Sequence, residues 1–116
     1  MKGMGGLGNM GKLMKQAQGQ IEEMQNQMAR LDDGLKERVV EGSAGGGMVK
    51  VLFNGLGQPL DVKIDKTILE EDDPEFLEEM ILAATRQGLK KAADLEEGEK
   101  KKIAGSLPIP GLENML

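Results

Sequence analysis

A regular spacing of apolar residues runs through the first third of the chain and limits its fold. From position 7 these residues recur at alternating intervals of three and four, at Leu7, Met10, Met14, Ala17, Ile21, Met24, Met28, Leu31 and Leu35. Such spacing is the heptad seam of a coiled coil, and it predicts one helix from about residue 7 to about residue 35. That helix would be roughly 43 Å long, so we expect part of it to project and a partner helix to cover the seam.

The methionines of this seam have two interpretations. Methionine fills coiled-coil cores, and the spacing favours that role. Methionine is also adaptable enough to line a surface that holds protein clients, so a non-enzymatic holdase or adaptor is the alternative function.

Three short β-type segments follow the first helix, at about residues 38–42, 48–54 and 59–65. The glycine-rich links GSAGGG and NGLGQP separate them and suit antiparallel hairpins. In the third segment apolar residues alternate with charged ones, which predicts one buried and one solvated face. The apolar residues of that face are Leu60, Val62 and Ile64.

The second β-type segment also alternates. Val49, Val51 and Phe53 are candidates for buried sheet or interface positions, with Lys50 and Leu52 on the other face.

A second helix is predicted from about residue 74 to about residue 104. Asp73 suits its N-cap and Pro74 its first turn, while Gly88 and Gly98 are its weakest points. Residues 105–116 form an irregular tail that contains Pro and Gly. The chain is therefore expected to be a single two-layer α+β domain, residues 1–104, ordered helix, three-stranded antiparallel sheet, helix (α-β-β-β-α).

Composition argues against an enzyme. The 116 residues include no cysteine and no histidine, so thiol catalysis, the commonest general base and the commonest metal ligands are missing. An EF-hand loop counted from Asp65 would need glycine where Glu70 stands. We expect no catalytic residues, metal, cofactor or small-molecule substrate.

The longest apolar stretch, residues 80–84, is too short to span a bilayer, so we expect a soluble cytoplasmic protein.

The segment GLGNMGK, residues 6–12, fits seven positions of the phosphate-loop pattern G-x-x-x-x-G-K. The next position needs a Ser or Thr hydroxyl for Mg²⁺ but holds Leu13, and only five residues stand where a strand is required. We therefore expect this segment to be a loose lead-in to the first helix.

Charge is distributed unevenly along the chain, whose net charge is −5. Residues 1–20 carry three lysines and no acid, and seven acids without a base lie in residues 67–82. Basic residues return in residues 83–104. Cations on two helices suit the phosphates of duplex DNA, whereas a solvated charged surface is the alternative explanation. Only two aromatic residues, both in apolar segments, are present to stack on single-stranded bases.

Three segments together closely resemble the YbaB/EbfC family of bacterial nucleoid-associated proteins. They are GLGNMGKLMKQAQ at residues 6–18, EGSAGGGMVKVLFNG at residues 41–55 and DVKIDKTILEEDDPEFLEEMILAA at residues 61–84. The likeness extends over nearly the whole chain in order and spacing. Its C-terminal part matches loosely, which leaves open whether residues 100–102 contact DNA.

The resemblance implies a tweezers-like homodimer whose projecting helical arms bind duplex DNA in the nucleoid. It also implies that the matching cations of the first and last helices contact DNA, namely Lys12, Lys15, Arg86, Lys90 and Lys91.

Overall fold

A computed structural model describes the backbone of residues 2–106 and the side chains of residues 9–106. The elements in order are α1 (Lys2–Glu37), β1 (Val39–Ala44), β2 (Val49–Asn54), β3 (Pro59–Ile64), α2 (Lys66–Glu70) and α3 (Pro74–Ser106). The predicted order of helix, three strands and helix is confirmed, with α2 as an addition.

The strands form one antiparallel sheet in the order β1-β2-β3. In the first hairpin the chain reverses through Gly45, Gly46 and Gly47, which all have φ between +62° and +92°. Residues with a Cβ rarely adopt these angles, which explains the glycine run.

The register of β3 shifts between Leu52 and Phe53. This bulge leaves Leu60 without a directly opposite residue on β2.

One face of the sheet packs against α3. Val49, Val51 and Phe53 are buried there with Ile68 and Ala84, as the alternation of β2 predicts. The helix and the sheet come closest at two glycines, Gly42 of β1 and Gly88 of α3. A Cβ on Gly42 would lie 1.8 Å from the Ala84 carbonyl oxygen, and a Cβ on Gly88 would lie 2.4 Å from the Phe53 ring. Glycine at both positions therefore sets how closely α3 approaches β1 and β2.

Asn54 organises the turn between β2 and β3. Its buried side chain accepts hydrogen bonds from the backbone N–H groups of Leu56 and Gln58 and donates to Gln58 Oε1. The neighbouring Gly55 N–H donates to the Leu35 carbonyl oxygen at 2.8 Å. This hydrogen bond holds the last turn of α1 against the turn between β2 and β3, where the Leu35 side chain is buried.

The predicted burial of the apolar face of β3 is wrong for two of its three residues. Leu60 and Val62 are 53% and 49% exposed, and only Ile64 is half-buried. Because the Gly42 and Gly88 contacts place α3 over β1 and β2, none of the described helices covers the outer part of β3.

Both long helices extend beyond their predicted bounds. α1 begins at Lys2, so the prediction of a loose lead-in at residues 6–12 is wrong, and this segment is helical. α3 continues through Gly88 and Gly98 to Ser106. Glycine weakens a helix by about 1 kcal/mol but does not forbid helical angles. Residues 105 and 106 of the predicted tail are therefore helical, and the rest of that tail lies outside the described residues.

The segment between β3 and α3 contains the unpredicted α2. Asp65 is its N-cap: the carboxylate accepts hydrogen bonds from the Thr67 hydroxyl at 2.6 Å and from the Thr67 N–H at 2.8 Å. These bonds, the hydroxyl one first, lower the pKa of Asp65 below its ordinary value of 3.8. Asp72 then reverses the chain with φ of 53°, and Asp73 caps α3 through the Phe76 N–H.

Contacts within the chain define two compact units. One comprises residues 1–31 with residues 100–116, and the other comprises residues 32–99. The first contains most of α1 and the end of α3. The second contains the sheet, α2 and most of α3. The single-domain organisation stays a prediction.

Candidate nucleic-acid interface

Lys12 and Lys15 lie in the first unit, on exposed positions of α1. They are three residues apart, so their side chains lie on neighbouring parts of one helix surface. Neither makes a salt bridge or hydrogen bond with any residue that the structure describes. Both ammonium groups are available to an anionic partner.

The heptad seam lies on a different side of α1. At about 100° per residue, Lys12 is on the side of the helix away from Met10 and Met14. Those methionines are 59% and 64% exposed, and exposure decreases along the seam until Leu35 is fully buried. Within residues 9–106 the N-terminal part of the seam is therefore uncovered, and the two lysines are accessible on another face of the helix. Its pairing as a coiled coil stays a prediction.

Arg86 lies in the second unit, on the exposed side of α3. Within residues 9–106 it forms no salt bridge or hydrogen bond. Ala84, two residues earlier, is buried against the sheet. Two residues of helix correspond to a rotation of about 200°, so Arg86 faces solvent.

The other two α3 cations have partners within the chain. Lys90 Nζ lies 3.0 Å from Asp94 Oδ2 one turn later, with both side chains well exposed. Lys91 Nζ donates to the Glu41 carbonyl oxygen at 2.9 Å, on the outer edge of β1. Each ammonium has three donors, so both lysines retain donors for an anion, although their positions are already fixed by other contacts.

Lys91 acts together with Gln87 one turn earlier. Gln87 Oε1 accepts from the Ser43 N–H at 2.7 Å, next to the Lys91 contact. One side chain thus satisfies a backbone donor of β1 and the other satisfies a backbone acceptor. This structural role of Lys91 was not predicted, because no local pattern shows which strand of the sheet lies under α3.

The structure therefore divides the five predicted site residues into two groups. Lys12 and Lys15 are neighbours on α1, and Arg86, Lys90 and Lys91 lie within two turns of α3. The groups belong to different units. Their contact with DNA stays a prediction.

Sequence reasoning did not identify a pair of cations on the sheet. Lys50 on β2 and Lys63 on β3 are directly opposite each other, on the face turned away from α3. Like charges in this arrangement repel, and Glu41 Oε1 at 3.9 Å from Lys50 Nζ partly offsets the repulsion. The alternation of side chains along each strand could have shown that both lysines lie on this face. The register of β2 and β3 decides that they are opposite each other, and it is known only from the structure.

The acids of residues 70–79 include helix caps, and they do not converge on a metal site. Within the described residues no group of three or more Asp or Glu side chains is arranged to hold a metal ion. The same part of the chain contains no helix of the length and apolar character that crossing a membrane requires.

Comparison with known sequences gives one family over nearly the whole chain. The sequence model of the YbaB/EbfC DNA-binding family matches residues 4–107. A nucleoid-associated protein of Pelotomaculum thermopropionicum is 46% identical over 105 residues, which cover 90% of this chain and 96% of that protein. A nucleoid-associated protein of Clostridium novyi is 43% identical, with 95% and 93% covered.

The fold is also found in a solved structure. The uncharacterized protein HP0035 of Helicobacter pylori superposes with a TM-score of 0.65 and 31% sequence identity. The match covers 72% of this chain and 88% of that protein.

Proposed function

Because the chain belongs to the YbaB/EbfC DNA-binding family, we propose that it is a nucleoid-associated protein that binds duplex DNA as a homodimer. Binding is mainly to backbone phosphates with weak sequence selectivity, and it serves nucleoid organisation and gene regulation rather than catalysis. Relatives named nucleoid-associated proteins, at 46% and 43% identity, support this proposal.

The observation that carries the proposal is the pair of exposed lysines on α1. Lys12 and Lys15 are exposed and form no ion pair within the described residues. Arg86 has the same properties on α3, and Lys90 and Lys91 are secondary contacts because they already have partners. A net charge of −5 gives no general attraction to DNA, so binding must depend on such local cations.

The homodimer is supported by the apolar residues that one chain leaves uncovered. Met10, Met14 and Ile21 are at least half exposed on α1, and Leu60 is similarly exposed on the sheet. Exposed apolar surface of this kind is typical of interaction sites. The uncovered methionines also favour the second candidate function, a holdase or adaptor that grips protein clients.

Charge reversal tests the proposed DNA contacts. The double variant Lys12→Glu/Lys15→Glu should weaken binding to a random-sequence duplex by at least about tenfold at ~50 mM salt, since it replaces two phosphate contacts with repulsion. Electrophoretic titration measures the affinity. A matched control, Lys36→Glu/Lys66→Glu, changes the net charge equally at exposed cations outside the proposed site.

Equal losses in the two double variants would show that net charge matters and the site does not. Unchanged affinity in Lys12→Glu/Lys15→Glu would reject the α1 contacts. If the unmodified protein does not bind duplex DNA at ~50 mM salt, the client-holding function becomes the better explanation.

A further inference from the structure

We infer that the pocket between α2 and the start of α3, called here the α2–α3 pocket, is a docking site for a cationic segment of another protein, which inserts one apolar side chain. Six residues line the pocket, namely Ile68, Leu69, Asp72, Asp73, Pro74 and Leu77. All six lie in the unit of residues 32–99, and none is among the cations proposed to contact DNA. This docking site is therefore independent of the proposed DNA contacts.

The inner wall of the α2–α3 pocket is apolar and belongs to the core of the unit. Ile68 is 2% exposed within the core cluster, and Leu77 packs against that cluster. Helix caps hold the two sides, since Asp65 caps α2 and Asp73 caps α3. The pocket is thus formed before any partner binds, so a partner does not have to order this part of the chain.

The size of the pocket limits what can enter it. Its volume is about 150 Å³. Cofactors and drug-sized ligands occupy pockets of about 300–1,000 Å³, whereas a cavity of about 150 Å³ holds a group the size of benzene. One leucine, isoleucine, methionine or phenylalanine side chain is of that size. Leu69 on the wall of the pocket is 54% exposed, so apolar surface remains open to such a side chain.

The pocket lies in the most acidic part of the chain. Residues 70–79 contain seven acids and no base, and all seven acids are exposed. Asp73 and Glu75 stabilise the N-terminus of α3, but this role does not account for the other five. None of the seven forms a salt bridge within residues 9–106. Like charges this close together repel, and a cationic partner would offset the repulsion.

Charge complementarity identifies the occupant as a segment rich in Lys or Arg. Its cations would lie against Asp72 and the neighbouring acids while its apolar side chain fills the pocket. Duplex DNA does not fit, since the acids repel its phosphates. A second copy of the chain is a poorer match, because it also carries a net charge of −5. Basic segments are typical of proteins that bind nucleic acids, so the expected partner is another protein of that class.

Peptide titration tests the α2–α3 pocket. The probe is a synthetic peptide with a leucine between two pairs of arginines, and the matched peptide has serine in place of the leucine. Isothermal titration calorimetry with the full chain should show binding of the leucine peptide. The affinity should be at least about tenfold lower for the serine peptide, because only leucine removes apolar surface from water. Equal affinities would overturn the pocket as the binding site.

Two variants separate the pocket from general attraction between charges. Leu69→Glu replaces an apolar wall by a further acid, and it should weaken binding of the leucine peptide at least about fivefold, whereas charge attraction alone would strengthen it. Glu71→Gln/Asp72→Asn should also weaken binding at least about fivefold, and Asn tolerates the positive φ of residue 72. The control Asp32→Asn/Asp33→Asn removes the same charge from exposed positions of α1 and should have an effect below about twofold.

Circular dichroism verifies that each variant is folded, and the comparison of the two peptides on the unmodified chain decides the question if a variant is not. Tighter binding to Leu69→Glu, or equal losses in the two double variants, would replace the pocket by unspecific charge attraction. Self-association of the unmodified chain that the leucine peptide reverses would assign the pocket to a second copy and overturn the proposed partner.

Absence of peptide binding to the unmodified chain would reject the docking site altogether. None of these results depends on DNA binding, which Lys12→Glu/Lys15→Glu tests separately.

Discussion

Gly42 and Gly88 determine how closely a helix can lie on this sheet. A Cβ at Gly42 would overlap the Ala84 carbonyl oxygen, and a Cβ at Gly88 would lie 2.5 Å or less from two atoms of the Phe53 ring. Both missing side chains are at one crossing, where the core residues Val51 and Phe53 are buried. A Cβ on Gly98 of the same helix would meet no other described part of the chain within 4 Å, apart from the adjacent helix backbone. Identical residues thus have different roles.

Alanine substitution should separate these roles. Gly88→Ala should lower the free energy of unfolding by about 1–3 kcal/mol, because the new methyl group overpacks the core. Gly98→Ala, the matched control, should raise it by up to about 1 kcal/mol through better helix propensity. Urea denaturation followed by circular dichroism measures both. Equal effects of the two substitutions would contradict the close crossing.

At the scale of elements, side chains from one segment complete the hydrogen bonds of another. Gln87 and Lys91 of α3 satisfy the outer edge of β1. On β3, by contrast, Asp61 accepts from the Val62 N–H of its own strand. Asp65 satisfies the first turn of α2. Short elements at the rim of a small domain have few buried contacts, so such caps decide where they begin and end.

The Asp65 cap predicts a dependence of stability on pH. Its pKa is lower in the folded chain than in the unfolded chain, so the unfolded state binds the proton more tightly. The stabilisation is complete above the ordinary value of 3.8 and is lost as pH falls through the lower folded pKa.

An uncharged variant should reveal this contribution. Asp65→Ala should unfold at a lower urea concentration than the unmodified chain at about pH 7, and the difference should shrink near about pH 2.5. Asp61→Ala serves as the control, because it removes another exposed carboxylate and leaves the Asp65 cap in place. A difference that is constant with pH would show that the charged form of Asp65 does not stabilise the cap.

On the scale of the whole molecule, an acidic protein that binds DNA must concentrate its cations locally. The chain has 20 acidic and 15 basic residues, and the acids include a run at the start of α3. The α1 lysines would then supply the main attraction to phosphates.

Salt dependence measures that local contribution. Log affinity for duplex DNA should fall linearly with log salt, with a slope of about −0.9 for each phosphate contacted. Substituting Lys12 and Lys15 by Gln should reduce the magnitude of the slope by about 1.8 for each subunit that contacts DNA. Titrations at several salt concentrations provide the slopes, with Lys36→Gln/Lys66→Gln as control. An unchanged slope would indicate that these lysines lie away from the phosphates.

Much of this fold could be predicted because the sequence patterns that indicate its elements involve residues close together in the chain. The heptad seam indicated α1, the glycine-rich links indicated the hairpins, and alternation in β2 identified Val49, Val51 and Phe53 as buried. The cations proposed for DNA contact also come from charge patterning and family resemblance, and their contact with DNA stays a prediction. The short α2 was missed because five residues carry no periodicity.

The sequence by itself therefore determined the element types, their order and the family, because hydrophobic period, turn residues and charge runs act over a few neighbouring positions. Only the tertiary structure decided that α3 lies over β1 and β2, that Val62 remains half exposed and that Lys91 reaches the Glu41 carbonyl. Those outcomes depend on one close approach, at Gly42 and Gly88, between residues 46 positions apart in the chain. No local pattern records such a distance, since it exists only when the helix and the sheet pack together.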